Sequence, residues 1–226
     1  MDNDTKLEYE KNLLGFYVSG HPLDAFGNLS DQINVITPDS FLKLPDRTSF
    51  RICGVISGLE KRFTRKDNKP WASFHLSTRR HSFEISLFPS TFERCGNMLA
   101  EGRIVAVQGY VSVNKQGESR LNVQEVFALE RYLPALVSDI TWYLDDDTNI
   151  RVEFLTQLRD ALDAFPGDTQ IKFALKNGDD KFLVAETARS LALHPTSKTI
   201  ETLSQHPAVL GVEFQMADIP VYERKY

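Results

Sequence analysis

The strongest constraint on the fold is a two-residue hydrophobic alternation that begins at Phe50 and recurs in five short runs as far as Leu129. Alternation of this kind is typical of β-strands with one buried face. The predicted strands occupy residues 50–59, 71–76, 83–87, 103–113 and 121–129. A short helix at 91–99, with Ser90 as its expected cap, separates the third strand from the fourth. Three strands, a helix and two strands is the order of a five-stranded OB-fold barrel, which we predict for residues 49–131.

Two further segments flank the barrel. Residues 1–48 are predicted as a helical segment and connector, because apolar side chains recur at helical spacing over residues 7–17. Residues 132–226 are predicted as a small α+β domain, which makes the chain mainly β plus α+β. Its clearest helix, at 150–165, has an apolar stripe that we expect to be mostly core: Val152, Leu155, Leu158, Leu162 and Phe165. Strands are expected at 140–144, 170–175, 181–186, 190–193 and 209–214, with a helix at 197–205.

Composition is that of an ordinary globular protein, with 42% apolar and 25% charged residues. No stretch is apolar enough to span a membrane, and the N-terminus lacks the pattern of a secretory signal. Cys53 and Cys95 make neither a disulfide framework nor a zinc cluster. His75 and His81 have no further ligand at a suitable spacing. We therefore expect a cytoplasmic protein without a cofactor or a bound metal.

The first connecting loop of the barrel, at residues 61–71, concentrates cations and aromatic side chains. Residues 61–80 contain seven Lys or Arg and one Asp, a local balance of +6, whereas the whole chain carries −5. An OB groove binds single strands with a cationic track for phosphates and aromatic faces for bases, each stacked base contributing ~1–3 kcal/mol. Alternation places Trp71, Ser73 and His75 on the ligand face of the second strand. The predicted nucleic-acid contacts are Arg62, Phe63, Arg65, Lys66, Lys69, Trp71, His75 and Lys115.

Simpler interpretations remain open for several of these features. The basic loop could be merely solvated, with Trp71 covering an open end of the barrel. The residues at 79–81, Arg-Arg-His, either extend the basic surface or form an ordinary exposed turn. The three aspartates at 145–147 are better explained by the N-terminus of the next helix than by a cation site. No motif unites the Ser, His and Asp residues, so no catalytic residue is predicted.

Residues 10–23, EKNLLGFYVSGHPL, resemble a signature of the bacterial DNA polymerase III alpha subunit. The barrel start at 51–56 and the segments at 87–89 and 107–109 look like the OB segment of that family. Residues 164–168 and 193–195 look like its C-terminal domain. In the family the signature precedes an OB domain and then a C-terminal domain, which is the order predicted for this chain.

The resemblance implies the noncatalytic C-terminal part of a replicative polymerase. Its OB domain would bind or guide single-stranded template DNA, and its C-terminal domain would dock the tau subunit of the clamp loader. Polymerase chemistry requires acidic residues that hold two metal ions in a palm domain, and the resemblance does not include the palm, so this chain alone should not be an enzyme. Residues 215–219 have the Gln and apolar residues of a sliding-clamp peptide, but Asp218 stands where an apolar anchor is needed, so clamp binding through them is not expected.

One departure from the family pattern concerns the centre of the second strand. Alignment on Pro70 and Leu76 places Ser73 where the family usually has a stacking aromatic residue, which leaves Trp71 to substitute for it. The alternative function is therefore a protein-interaction module of the replisome whose OB groove no longer binds nucleic acid. An anticodon-binding OB domain of a synthetase would share the barrel, but it gives no reason for the segment at 15–22.

Overall fold

The structure is a computed structural model that describes residues 20–176, 181–188 and 191–220. The predicted helix at 7–17 lies outside the described residues, as does the connection between the strands predicted at 170–175 and 181–186. The chain divides into two compact units. Within the described residues, the first unit contains Ser30–Leu129 with residues 20–24 and 218–220, and the second contains Ala25–Leu29 and Glu130–Ala217. Helices α1 (Leu29–Ile33) and α2 (Pro38–Phe41) precede the first sheet.

The first unit is built on a five-stranded antiparallel sheet, as predicted. Its strands are β1 (Ser49–Phe63), β2 (Pro70–Ser77), β3 (Ser82–Leu87), β4 (Ile104–Val113) and β5 (Ser119–Ala128), in the order β3-β2-β1-β4-β5. The long strand β1 pairs with β4 through its first half and with β2 through its second half. A bulge between Ser57 and Glu60 bends β1, and Gly58 there has a φ of 62°. β3 and β5 approach each other, so the sheet curls into a barrel.

Alternating side chains of these strands fill the core of the first unit. Ile52 on β1, Phe74 on β2 and Ile85 on β3 are buried members of this core. Because Phe74 and its alternate neighbours point inward, Trp71, Ser73 and His75 are left on the outer face of β2. The predicted division of β2 into a core face and an outward face is confirmed; ligand binding by the outward face stays a prediction.

Helix α3 (Pro89–Cys95), between β3 and β4, differs from its prediction at both ends. Phe88 occupies the N-cap position, and no side chain caps the helix. The prediction that Ser90 caps this helix is therefore wrong. Pro89 supplies a helical φ at the first position, and this moves Ser90 into the first turn. The α-helix ends at Cys95, and a 3₁₀ turn at Gly96–Met98 replaces its predicted last residues.

The second unit has a mixed sheet with helices in its connections. Its strands are β6 (Val137–Leu144), β7 (Pro166–Lys176), β8 (Phe182–Glu186), β9 (Ala192–Leu193) and β10 (Val209–Met216), and its helices are α4 (Leu129–Leu136), α5 (Thr148–Ala164) and α6 (Ser197–Ser204). The strand order is β10-β6-β7-β8, with β9 paired to β7. β6 and β7 are parallel, and the chain between them contains α5. Helix α4 was not predicted, and it contains Pro134.

Helix α5 buries a different face from the one predicted. Phe154 and Leu158 are buried, whereas Val152 is 57% exposed and Leu155 is 42% exposed. At 3.6 residues per turn, Leu158 lies about 120° around the helix axis from Val152, so these two side chains do not share a face. The step from Phe154 to Leu158 rotates the side chain by only about 40°. The prediction that the stripe starting at Val152 would be mostly core is therefore wrong at Val152, at Leu155 and at the exposed Phe165.

Candidate nucleic-acid interface

The loop between β1 and β2 is a tight turn held by Thr64. The amide N–H of Thr64 donates to the carbonyl oxygen of Lys69 (2.9 Å), and the amide N–H of Lys69 donates to the Thr64 hydroxyl oxygen (2.9 Å). The Thr64 hydroxyl donates to the Asp67 carboxylate, and this hydrogen bond is the main cause of the lowered pKa of Asp67. Asn68 adopts the left-handed conformation with a φ of 49°, which asparagine tolerates better than most residues.

The cations of this loop differ in how they are paired. Arg65 and Lys66 are exposed, and no ion pair involves them in the part of the chain that the structure describes. Lys69 Nζ lies 3.5 Å from an Asp67 carboxylate oxygen, and Arg62 forms an ion pair with Glu60. Exposed pairs of this kind contribute only ~0–1 kcal/mol, so a phosphate could displace either carboxylate. Arg65 and Lys66 are available without that exchange.

An open groove of about 270 Å³ lies on the outer face of β1, β2 and β3. Its outward-facing residues form three cross-strand rows, which are Arg62 beside Trp71, Glu60 beside Ser73 and Ser86, and His75 beside Glu84. In the middle row Glu60 stands on β1, whereas Ser73 and Ser86 are small, so this row leaves space above β2 and β3. Trp71 and His75 flank Ser73 on β2, each two residues away from it. Their rings border a hollow above Ser73.

Trp71 is the larger of the two aromatic side chains on this face of β2. It is half-buried, and the guanidinium carbon Cζ of Arg62 lies 5.9 Å from the centroid of its ring. That distance is within the range of a cation–π contact. A flat aromatic surface beside a positive charge is the combination with which OB grooves bind bases and phosphates together.

Two carboxylates line the same groove, although neither was predicted as a site residue. The Glu60 carboxylate is engaged by Arg62, whereas the carboxylate of Glu84 has no hydrogen bond or ion pair with a described residue. Strand alternation could have identified Glu84, because it stands between the buried residues Phe83 and Ile85. The groove is therefore a mixed surface of aromatic, cationic, hydroxyl and acidic groups.

The structure brings some of the predicted contacts together and leaves others apart. Arg62, Trp71 and His75 line the groove, and Arg65, Lys66 and Lys69 belong to the adjoining loop. The remaining two predicted residues, Phe63 and Lys115, do not line the groove.

Phe63 and Lys115 have different surroundings. Phe63 is 63% exposed and pairs with Pro70, and alternation turns it to the opposite face of β1 from Arg62. Lys115 is exposed in the turn between β4 and β5, at the end of the sheet where β1 begins. The basic loop follows the other end of β1. Contact of either residue with nucleic acid stays a prediction.

The turn between β2 and β3 does not extend the basic surface through Arg79. The Arg79 guanidinium lies 2.8 Å from a carboxylate oxygen of Asp24 and 3.3 Å from one of Asp31. These two carboxylates offset its charge. Arg80 and His81 are exposed in the turn, which favours the simpler of the two interpretations of this segment.

The aspartates at 145–147 begin helix α5. A carboxylate oxygen of Asp147 accepts hydrogen bonds from the amide N–H groups of Asn149 (2.9 Å) and Ile150 (3.3 Å). The explanation of this acidic run by a helix N-terminus is confirmed. Across residues 20–176, 181–188 and 191–220, no group of three or more His, Cys, Asp or Glu side chains is arranged to hold a metal ion.

Strand order, core and groove together define the first unit as an OB-fold domain. In agreement, residues 50–129 match the family model of the tRNA anticodon type that is described as an OB-fold nucleic acid binding domain. None of the described helices has the length and apolarity needed to cross a membrane.

Among curated proteins, the chain is similar to bacterial DNA polymerase III alpha subunits. The subunit of Borreliella burgdorferi is 27% identical over 179 residues, which are 77% of this chain and 15% of that protein. The subunit of Aquifex aeolicus is 34% identical over 128 residues, 56% of this chain and 11% of that protein. The subunit of Mycobacterium tuberculosis is 27% identical over 215 residues, 91% of this chain and 17% of that protein. Because the chain spans less than a fifth of these relatives, their polymerase activity is not attributed to it.

Proposed function

We propose that this chain binds single-stranded DNA through its OB groove, as the noncatalytic C-terminal part of a replicative DNA polymerase alpha subunit. The observation that carries the proposal is the row of Arg62 and Trp71 in an open groove, next to a loop that presents Arg65 and Lys66 to solvent. Bases would stack on Trp71 while phosphates pass the loop. In this role the OB domain guides the template strand, and we expect a cytoplasmic protein.

The test is a titration of a fluorescently labelled oligodeoxynucleotide with the whole chain at low salt, followed by anisotropy. Trp71→Ala should weaken binding by about five- to 150-fold, because one stacked base contributes ~1–3 kcal/mol. Phe88→Ala is a matched control, since Phe88 is an exposed aromatic residue of the same unit that does not line the groove. The proposal fails if no binding occurs at high micromolar protein, or if both variants bind like the parent chain.

Intrinsic fluorescence provides an independent readout of the same event. The chain has two tryptophans, and Trp142 in the second unit is fully buried. Stacking of a base should therefore quench Trp71 alone. Quenching that survives Trp71→Phe would show that the DNA lies elsewhere.

We further propose that the second unit docks the tau subunit of the clamp loader. This partner is suggested by the resemblance to polymerase alpha subunits. Exposed apolar side chains support a protein contact on this unit: Val152 and Leu155 lie on the outer face of α5, and Leu183 and Val184 lie on the edge strand β8. An exposed apolar edge strand is a common docking element.

A pull-down with the cognate tau subunit tests the docking role. Leu155→Glu should abolish retention, because it places a charge in the proposed apolar contact. Gln157→Glu adds the same charge at an exposed polar position of the same helix and should leave retention unchanged. Equal retention of both variants would exclude this face of α5 as the contact.

The presence of Glu60 and Glu84 in the groove favours a second candidate function. Carboxylates repel phosphates, so an OB groove with this lining could serve protein contacts in the replisome and no longer bind nucleic acid. The anisotropy titration distinguishes the two functions directly. Salt-sensitive binding that depends on Trp71 supports the first, and the absence of binding supports the second.

A further inference from the structure

We infer that Glu84 makes the groove selective for bases with an exocyclic amino group, and thus for cytosine over uracil or thymine. The inference rests on the proposed binding of single-stranded DNA in this groove. It concerns which base the hollow accepts, which neither the OB fold nor the similarity to polymerase subunits specifies.

The hollow is centred on Ser73, between Trp71 and His75 on the outer face of β2. An aromatic side chain at position 73 would fill this space. With serine there, a base can enter between the two rings and bring its edge near the neighbouring strands. The base is then read at its edge, where the four bases differ, as well as at its face, where they are alike.

Glu84 stands at the rim of this hollow on the β3 side. Ser73 pairs with Ser86, and Glu84 lies two residues before Ser86 on the same face. Diagonal neighbours of this kind have Cβ atoms about 7 Å apart, which is within the reach of a glutamate side chain. The Glu84 carboxylate can therefore contact the edge of a base that sits above Ser73.

An ionised carboxylate only accepts hydrogen bonds. The N4 amino group of cytosine can donate to it, a pairing that proteins use to recognise cytosine. Uracil and thymine have the O4 carbonyl oxygen at the same place, and its lone pairs are repelled by the carboxylate. Glu60, on the opposite rim, is less available because Arg62 engages it.

The distribution of charge also decides which part of the strand meets Glu84. Phosphates are repelled by the Glu84 carboxylate, since Arg62 offsets the charge of Glu60, and are attracted by Arg65 and Lys66 of the loop. The sugar-phosphate backbone should therefore follow the loop, and the bases should point into the hollow.

The test compares oligo(dC) with oligo(dU) of equal length, binding to the whole chain at low salt. These two oligonucleotides differ in hydrogen bonding only at the pyrimidine edge, and mildly alkaline pH keeps cytosine unprotonated. We expect oligo(dC) to bind about three- to tenfold more tightly, the range of one partly exposed hydrogen bond. Glu84→Gln should remove most of the difference, because an amide can accept from N4 or donate to O4.

Glu93→Gln is the matched control, since Glu93 is exposed on α3 of the same unit and does not line the groove. It should preserve the preference for oligo(dC). Equal binding of the two oligonucleotides, or a preference that persists in Glu84→Gln, overturns the inference and leaves the proposed function standing. The absence of binding to both oligonucleotides overturns the proposed function and the inference together.

Discussion

The pairing of the loop cations predicts how strongly salt should weaken DNA binding. For single strands, each phosphate that the protein neutralises changes the slope of log K against log salt by about −0.7. Five cations were predicted from the sequence as contacts, at positions 62, 65, 66, 69 and 115. If all five neutralised phosphates, the slope would be about −3.5.

The structure predicts a smaller slope, because Arg62 and Lys69 already have carboxylate partners and Lys115 lies at the other end of β1. Arg65 and Lys66 alone give a slope of about −1.4, and opening of the Lys69 pair would bring it to about −2.1. Between about 50 and 200 mM salt, a slope of −1.4 lowers affinity about sevenfold, whereas a slope of −3.5 lowers it about 130-fold. A binding assay can therefore distinguish these two slopes.

The decisive perturbation is the double variant Arg65→Ala/Lys66→Ala, measured by anisotropy across that range of salt. Its slope should be flatter than that of the parent chain by about 1.4. Lys198→Ala removes one exposed charge from the second unit and should leave the slope unchanged. An unchanged slope in the double variant would refute the assignment of the phosphate track to the loop, and a parent slope near −3.5 would refute the reasoning from ion pairs.

Two further predictions concern the OB domain that carries the groove. Burial raises the pKa of the Cys53 thiol to about 12 from an ordinary value of 9.0, so the unfolded chain loses this proton at lower pH than the folded chain. The thiol contributes its full stabilisation below pH 9.0, and between pH 9.0 and about 12 the free energy of unfolding decreases by up to about 1.4 kcal/mol per pH unit. Urea unfolding at two alkaline pH values should show a smaller decrease for Cys53→Ala. A Cβ atom on Gly109 would lie 2.0 Å from the carbonyl oxygen of Asn122, so Gly109→Ala should force β4 and β5 apart and lower stability by about 2–4 kcal/mol. Gly211→Ala, whose Cβ meets nothing within 4 Å, should be much milder in the same thermal unfolding experiment.

Sequence alternation predicted the first sheet well because a strand has only two faces. Once Phe74 is assigned to the core, the direction of Trp71, Ser73 and His75 follows. The same kind of reasoning failed for α5, where steps of three residues and steps of four residues look equally regular in a sequence but rotate in opposite senses. Helix α4 was missed because a proline usually argues against a helix interior, and here tertiary packing overrides that tendency.

The charge of the site could be predicted only in part. The sequence shows seven cations between residues 61 and 80, but only the Lys69 partner, Asp67, lies in the same segment. Arg79 is offset by Asp24 and Asp31, which lie far before it in the sequence. Glu60 immediately precedes residues 61–80 and pairs with Arg62. Local charge therefore indicated where a polyanion-binding surface should lie. The affinity of that surface depends on which of its cations are paired with carboxylates in the folded chain.

Ser73 has a second consequence for the groove besides the loss of one stacking face. A full aromatic row on β2 would stack any base, because every base has a π face. Serine at position 73 provides no stacking face, which costs about 1–3 kcal/mol of binding free energy. It also leaves the edge of the base open to the rim of the groove. Ser73→Phe should therefore tighten binding to oligo(dC) and oligo(dU) alike and remove the difference between them. Tighter binding with the preference retained would show that the base edge is read outside the hollow, and weaker binding of both oligonucleotides would contradict the exchange of stacking for an edge contact.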